Sequence, residues 1–239
     1  VTRSPTRPAP TDLRVSVREL RLMTGRVLLT TAIPFGTVAA TRDIVVGAET
    51  HGLDGLAGLL DALPALRARH LRPELRGATA LFPAPESQPA LATAADLLDL
   101  AVAGAHADGS ASFAAPGDDW AVRALPPRAR RHGVELTLTR TTVTAEASAD
   151  GPRPGPDAAE LRALTYGVAV PTALWRRIVA EAETALTPDS ALSRTHAGDS
   201  VFGPDGEIVA EVGEDEPVED EPVEAEPVEG EDEPVEVAP

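Results

Sequence analysis

The sequence predicts an α+β protein: a helical N-terminal unit, then a mixed α and β body with a small sheet, then a disordered acidic tail. Three observations carry this expectation. Apolar residues recur at helical spacing through the first 70 positions. Val134, Leu136 and Leu138 alternate with Glu135 and Thr137 in the clearest strand. Glu-Pro-Val-Glu occurs four times, starting at Glu216, Glu221, Glu226 and Glu233. The chain is therefore divided into a flexible lead over 1–12, one globular domain over 13–212 whose part 13–70 is helical, and an acidic tail over 213–239.

Ser16 and Glu19 have the spacing of a capping box, and Leu20, Met23, Val27 and Leu28 follow on one helical face, ended by Pro34 and Gly36. A second helix over 37–49 buries Val38, Ile44, Val45 and Ala48. After a turn at His51-Gly52, a third over 53–63 turns Leu56, Leu59, Leu60 and Leu63 inward, and Pro64 is expected to break or kink it. The proline-rich stretch 72–89 reads as extended, with a strand over 78–82. Leu91, Ala94, Leu98 and Val102 define a helix over 89–103, followed by a short strand over 110–114 and a turn or short helix over 125–131. The strand 133–138 either continues through 139–147 or returns as a hairpin, and 150–157, with Pro152, Pro154 and Pro156, is a loop. Thr172 is placed to cap a helix over 173–186, and 200–202 with 207–212 form a hairpin around Gly203-Pro204-Asp205-Gly206.

Composition excludes several chemistries. All 21 basic residues are arginine, so there is no Schiff-base lysine and no lysine-type phosphate loop. Cysteine is absent, which removes thiol nucleophiles, disulfides and cysteine-ligated metals. With aromatics at 3%, the core must come from Leu, Val and Ala. The net charge of −17 belongs mostly to residues 211–239, which hold 14 acidic and no basic side chains. Residues 1–210 hold 24 acidic residues against 21 arginines, a net of −3 and no basis for nucleic-acid binding. The longest uncharged stretch, 27–41, is too short to span a bilayer and contains Pro34 and Gly36. No apolar run follows the N-terminal arginines, so the expectation is a cytoplasmic protein with neither membrane nor nucleic-acid partners. The tail reads as a solubilising extension, or as a tandem motif whose repetition raises avidity for a basic protein partner.

Histidines come next, because lysine and cysteine are missing. His51, His70, His106, His132 and His196 form no i, i+4 or His-x-His pair, so no metal site is expected. His51, in Glu49-Thr50-His51-Gly52, supports two readings: a proton donor to a developing alkoxide, or a helix C-terminal histidine on free carbonyls followed by a capping glycine. Arg128, Arg130 and Arg131 read either as a clamp for phosphate or carboxylate or as a solvated helix end. Asp118 and Asp119 beside Trp120 are an acid/base pair or a solvated loop. Neither a Gly-x-Gly-x-x-Gly nor a Gly-x-Ser-x-Gly sequence is present.

The run Val15-Ser16-Val17-Arg18-Glu19-Leu20, the two helices after it, and Glu49-Thr50-His51-Gly52-Leu53 resemble the opening of the malate/L-lactate dehydrogenase family of non-Rossmann NAD(P)-dependent oxidoreductases. The resemblance implies that His51 is the acid/base, with Thr50 where the family has serine. The family's arginine three residues past the glycine is replaced by Gly55, and its Thr-Asn-Pro segment is missing. The C-terminal half is similar to the uncharacterised bacterial domain-of-unknown-function 3726 proteins, through Gly167-Val168-Ala169-Val170, Leu174-Trp175, the run from Thr187 to Arg194 and Ala197-Gly198. The Ser16…Glu19 helix and Asp96-Leu97…Leu100-Ala101 also suit that family.

Together these features give the expectation of a small-ligand-binding or accessory protein. The alternative is an oxidoreductase of a small 2-keto or 2-hydroxy acid, with His51 as proton donor and Arg128 or Arg131 anchoring the carboxylate. NAD or NADP is expected only in that second case. A homo-oligomer is expected, although no residue pattern fixes its number.

Overall fold

A computed structural model describes residues 12–68 and 88–186, together with the backbone of four short strands at Glu74–Arg76, Thr79–Leu81, Ser200–Phe202 and Ile208–Glu211. The acidic repeats, most of the lead, His70 and His196 lie outside the described residues. The chain divides into two compact units, Val1–Thr187 and Pro188–Pro239, so the boundary falls ahead of the repeats.

The first unit is α+β. Strand β1 (Asp12–Val15) leads directly into helix α1 (Val17–Leu29), whose capping box is formed: the Glu19 amide donates to Ser16 Oγ at 3.1 Å and the Ser16 amide to Glu19 Oε2 at 3.0 Å. This exchange satisfies donors that the first helical turn leaves free. Helix α2 (Phe35–Thr50) begins ahead of its apolar pattern, directly after Pro34. It is the central helix, with Ile44, Val45 and Ala48 fully buried and α1 on one side of it.

Helix α3 (Gly55–Ala68) runs through Pro64, which corrects the expected break. The turn beyond the proline is held by burial of Leu63 and Leu66, and the Leu66 carbonyl accepts from the Ala32 amide at 2.8 Å. Packing there outweighs the lost ladder bond and the ring clash of a helical proline, together about 3 kcal/mol. Gly55 lets α3 meet α2 closely, since a Cβ at that position would lie 2.4 Å from the Val45 carbonyl oxygen.

Strands β2 (Glu74–Arg76) and β3 (Thr79–Leu81) pair as a tight antiparallel ribbon. A 3₁₀ turn at Ala90–Ala92 then leads into α4 (Ala94–Asp108), which runs past its predicted end to Gly109, a left-handed residue at φ +80°. Strands β4 (Ser110–Ala114), β5 (Val134–Leu138) and β6 (Thr142–Ala147) form an antiparallel sheet in the order β4-β6-β5, so 139–147 returns as a hairpin. Val143 and Ala145 are fully buried, and Ala101 and Ala105 of α4 present small side chains to the sheet. A Cβ at Gly104 would lie 2.6 Å from that of Ala111, a measure of how closely helix and sheet approach.

Two short helices, α5 (Trp120–Arg123) and α6 (Pro126–Arg131), separate β4 from β5. Helix α7 (Ala158–Tyr166) follows the proline-rich loop. Strand β7 (Val168–Pro171) then pairs with β1, Leu13 opposite Val170, and α8 (Thr172–Glu183) packs Ile178 and Ala182 into the core. Its N-cap is Pro171 and not Thr172. In the second unit β8 (Ser200–Phe202) and β9 (Ile208–Glu211) form the expected hairpin. Among the described residues no helix is long and apolar enough to cross a membrane.

Candidate functional site

A cavity of about 250 Å³ opens where α1, α2, α6 and α7 converge. Helix α6 is pinned by Leu125 and Ala129, both fully buried, and its two prolines preset the first turn. Arg128 and Arg131, three residues apart and so on one helical face, both line the cavity. Arg130 lies off that face and pairs with Glu135 at 3.1 Å. The structure thus divides the predicted arginine cluster, two to the cavity and one away from it.

The opposing charges come from distant segments. Asp157 and Glu160 form a second capping box at the start of α7: the Glu160 amide donates to Asp157 Oδ1 at 3.0 Å and the Asp157 amide to Glu160 Oε2 at 3.0 Å. The Glu160 carboxylate also takes the Arg131 guanidinium through both oxygens. On α2, Asp43 accepts from Arg42 Nε at 2.9 Å and lies 3.5 Å from Arg21 Nε. Arg128 differs: among the described residues it has no ion pair, and its Nε is buried without a hydrogen-bond partner. Burial pushes the Arg128 guanidinium below its ordinary pKa, with Asp43 the chief opposing charge. Arginine nevertheless stays ionised, so a cation without an ion pair lines a cavity whose other walls include Asp43 and Glu160 on the polar side and Val17, Val46, Pro156 and Leu164 on the apolar side.

His51 stands beside this cavity as the C-cap of α2. Its Nδ1 lies 2.7 Å from the Gly47 carbonyl oxygen and its Nε2 lies 2.7 Å from Asp157 Oδ2. Both partners are acceptors, so the imidazolium, which donates from both nitrogens, satisfies them together. Burial disfavours its charge, yet the Asp157 and Gly47 bonds, with the Asp157 and Glu160 charges, raise its pKa above the ordinary value. Asp157 is correspondingly lowered: burial works against ionisation, and the Glu160 amide and His51 outweigh it. His51 therefore latches the loop before α7 to the end of α2, and Gly52 at φ +69° turns the chain immediately after it. The neighbours in the motif are also accounted for. Glu49, its pKa raised by burial, accepts from the Leu56 amide at 2.9 Å, and the Thr50 hydroxyl donates to the Gly47 carbonyl at 2.8 Å.

Asp119 caps α5 by accepting from the Ala121 amide at 2.8 Å, and burial raises its pKa, while Asp118 lies 3.7 Å from Arg140. Neither lines the cavity. His106 Nε2 lies 2.9 Å from the His132 carbonyl oxygen, and among the described residues no three His, Asp or Glu side chains are grouped to hold a metal. The cavity is smaller than the roughly 300–1,000 Å³ of pockets that take drug-sized ligands, and no glycine-rich strand-to-helix turn adjoins it.

Sequence reasoning missed Arg21, Asp43, Asp157 and Glu160. A signal existed for the last two, because Asp157-Ala158-Ala159-Glu160 has the same capping-box spacing as Ser16…Glu19. Comparison of the chain with family models, with curated proteins and with solved structures found no match, so the cavity is read from its own residues.

Proposed function

We propose that this domain binds a small anionic ligand in the cavity between α1, α2, α6 and α7, with Arg128 as the anchor. One observation supports the reading: Arg128 lines the cavity with no ion pair among the described residues and a buried, unpartnered Nε, while Arg21 and Arg131 each meet a carboxylate. A guanidinium that lines a cavity without a carboxylate partner can take an anion through charge-assisted hydrogen bonds. Binding without catalysis is favoured because the candidate proton carriers are engaged. His51 uses both nitrogens, and Asp43 and Glu160 are ion-paired.

The test is calorimetric titration at low salt with sodium acetate, sodium benzoate and sodium phosphate. At least one should saturate a single site. A charged hydrogen bond is worth about 1.5–3 kcal/mol, so Arg128→Met should weaken that ligand about tenfold to hundredfold. Arg130→Met, on the side paired with Glu135, should leave it unchanged. Saturation by none of the three anions, or equal binding by the Arg128→Met protein, refutes the proposal.

A further inference from the structure

The other groups at the cavity narrow the class of anion. Resting on the anion-site reading, we infer that the ligand is a monoanion with a compact apolar body: a short branched or aromatic carboxylate, not a phosphate or a dicarboxylate.

Charge balance is the first ground. Among the described lining residues three arginines, Arg21, Arg128 and Arg131, stand against the two carboxylates of Asp43 and Glu160, and Asp43 is shared with Arg42 from outside the wall. A dianion would bring its second charge against the carboxylates of Asp43 and Glu160, both of which line the cavity. The second ground is the supply of donors. Among the described lining residues Thr50 carries the only hydroxyl, and its proton already goes to the Gly47 carbonyl. A tetrahedral phosphate needs donors on several sides, whereas a planar carboxylate can be served by one guanidinium fork. The third ground is the wall. Val17 and Val46 are buried at 9% and 4% exposure, and Pro156 and Leu164 complete an apolar side suited to a hydrocarbon body. The volume of about 250 Å³ is roughly eight water volumes, which suits a body the size of 3-methylbutanoate or benzoate.

The experiment compares, by calorimetry on the full chain, acetate, 3-methylbutanoate, benzoate, succinate, phosphate and the neutral isostere 3-methylbutanamide. Each buried methylene is worth about 0.8 kcal/mol, about fourfold in affinity. 3-Methylbutanoate should therefore bind at least tenfold more tightly than acetate. The amide should bind at least tenfold more weakly than its acid, and succinate and phosphate should be weaker than acetate. Leu164→Ser should shrink the advantage of 3-methylbutanoate and leave acetate unaffected. If phosphate or succinate binds best and is lost in Arg128→Met, the anion site stands and the monocarboxylate inference falls. Equal affinity for acetate and 3-methylbutanoate also overturns the inference, through its apolar part. If no anion in the series binds, the anion-site reading falls with it.

Discussion

Replacing Asp157 separates two tasks performed by one carboxylate. Its Oδ1 caps α7, accepting from the Ala159 and Glu160 amides at 2.9 and 3.0 Å, while its Oδ2 meets His51 Nε2 at 2.7 Å. Asp157→Ser keeps a capping oxygen that is too short to reach His51, whereas Asp157→Ala loses both contacts. Loss of an N-cap costs about 1 kcal/mol. A charged hydrogen bond is worth about 1.5–3 kcal/mol, but the Asp157 side chain is 40% exposed, and solvent screening brings the latch down to about 1 kcal/mol. The expected losses are therefore about 1 kcal/mol for the serine variant and about 2 kcal/mol for alanine. At roughly 2–4 °C per kcal/mol for a domain of this size, the two melting temperatures should stand clearly apart. Urea unfolding followed by tryptophan fluorescence reads this directly, because Trp120 and Trp175 both lie in the first unit.

The latch also has a pH signature. The folded pKa of His51 is raised, so its stabilisation is complete below the ordinary histidine value of about 6.5 and is lost as pH rises through the raised folded value. The folded pKa of Asp157 is lowered, so its share is present above the ordinary value of about 3.9 and is lost as pH falls through the lowered one. The Asp157→Ser penalty should thus be larger at pH 6 than at pH 9. Equal penalties at the two pH values, or a serine variant as stable as the parent at pH 6, would refute the latch.

Two further changes test the packing that positions the site. Pro64 is exposed and lies inside α3, so Pro64→Ala restores a ladder donor without opening a void. After allowing for the greater freedom of the unfolded chain, it should stabilise by about 1–2 kcal/mol, and a lower urea midpoint would contradict this. At Gly58 a Cβ would lie 2.4 Å from Trp120 Cε2. Gly58→Ala should therefore displace the indole, cost about 1–3 kcal/mol and alter the tryptophan emission; an unchanged emission spectrum would show that the ring is not packed there.

Local signals in the sequence had local outcomes. Ser16 and Glu19 announced the start of α1, and the alternation Val134-Glu135-Leu136-Thr137-Leu138 announced β5, because each depends on residues a few positions apart. Pro64 misled because a breaker is a local cost, while Leu66, buried two residues later against a distant part of the chain, is a tertiary gain. Strand β1 went unread for a related reason. Asp12-Leu13-Arg14-Val15 has little strand character of its own, and it is ordered by pairing with Val168–Pro171 across more than 150 residues. Helix α7 is the exception, since its capping box is as plain in sequence as that of α1 but stands directly after a proline-rich loop.

The same distinction governs the site. Helical spacing alone places Arg128 and Arg131 on one face and Arg130 off it. Which of them is free to hold a ligand depends on carboxylates that sequence distance hides: Glu160 lies one loop and two strands away on α7, and Asp43 lies on α2. Three adjacent arginines look equivalent in sequence. In the fold one is matched to Glu135, one to Glu160, and the third lines the cavity with its Nε buried and unpartnered. The functional information lies in that difference. Matched ion pairs alone would describe a solvated surface, whereas an arginine with no ion pair among the described residues at a partly apolar cavity is what motivates the anion-site proposal. His51 takes its part through the same logic, because the latch to Asp157 fixes the start of α7 and with it the carboxylate of Glu160 that occupies Arg131 and leaves Arg128 open.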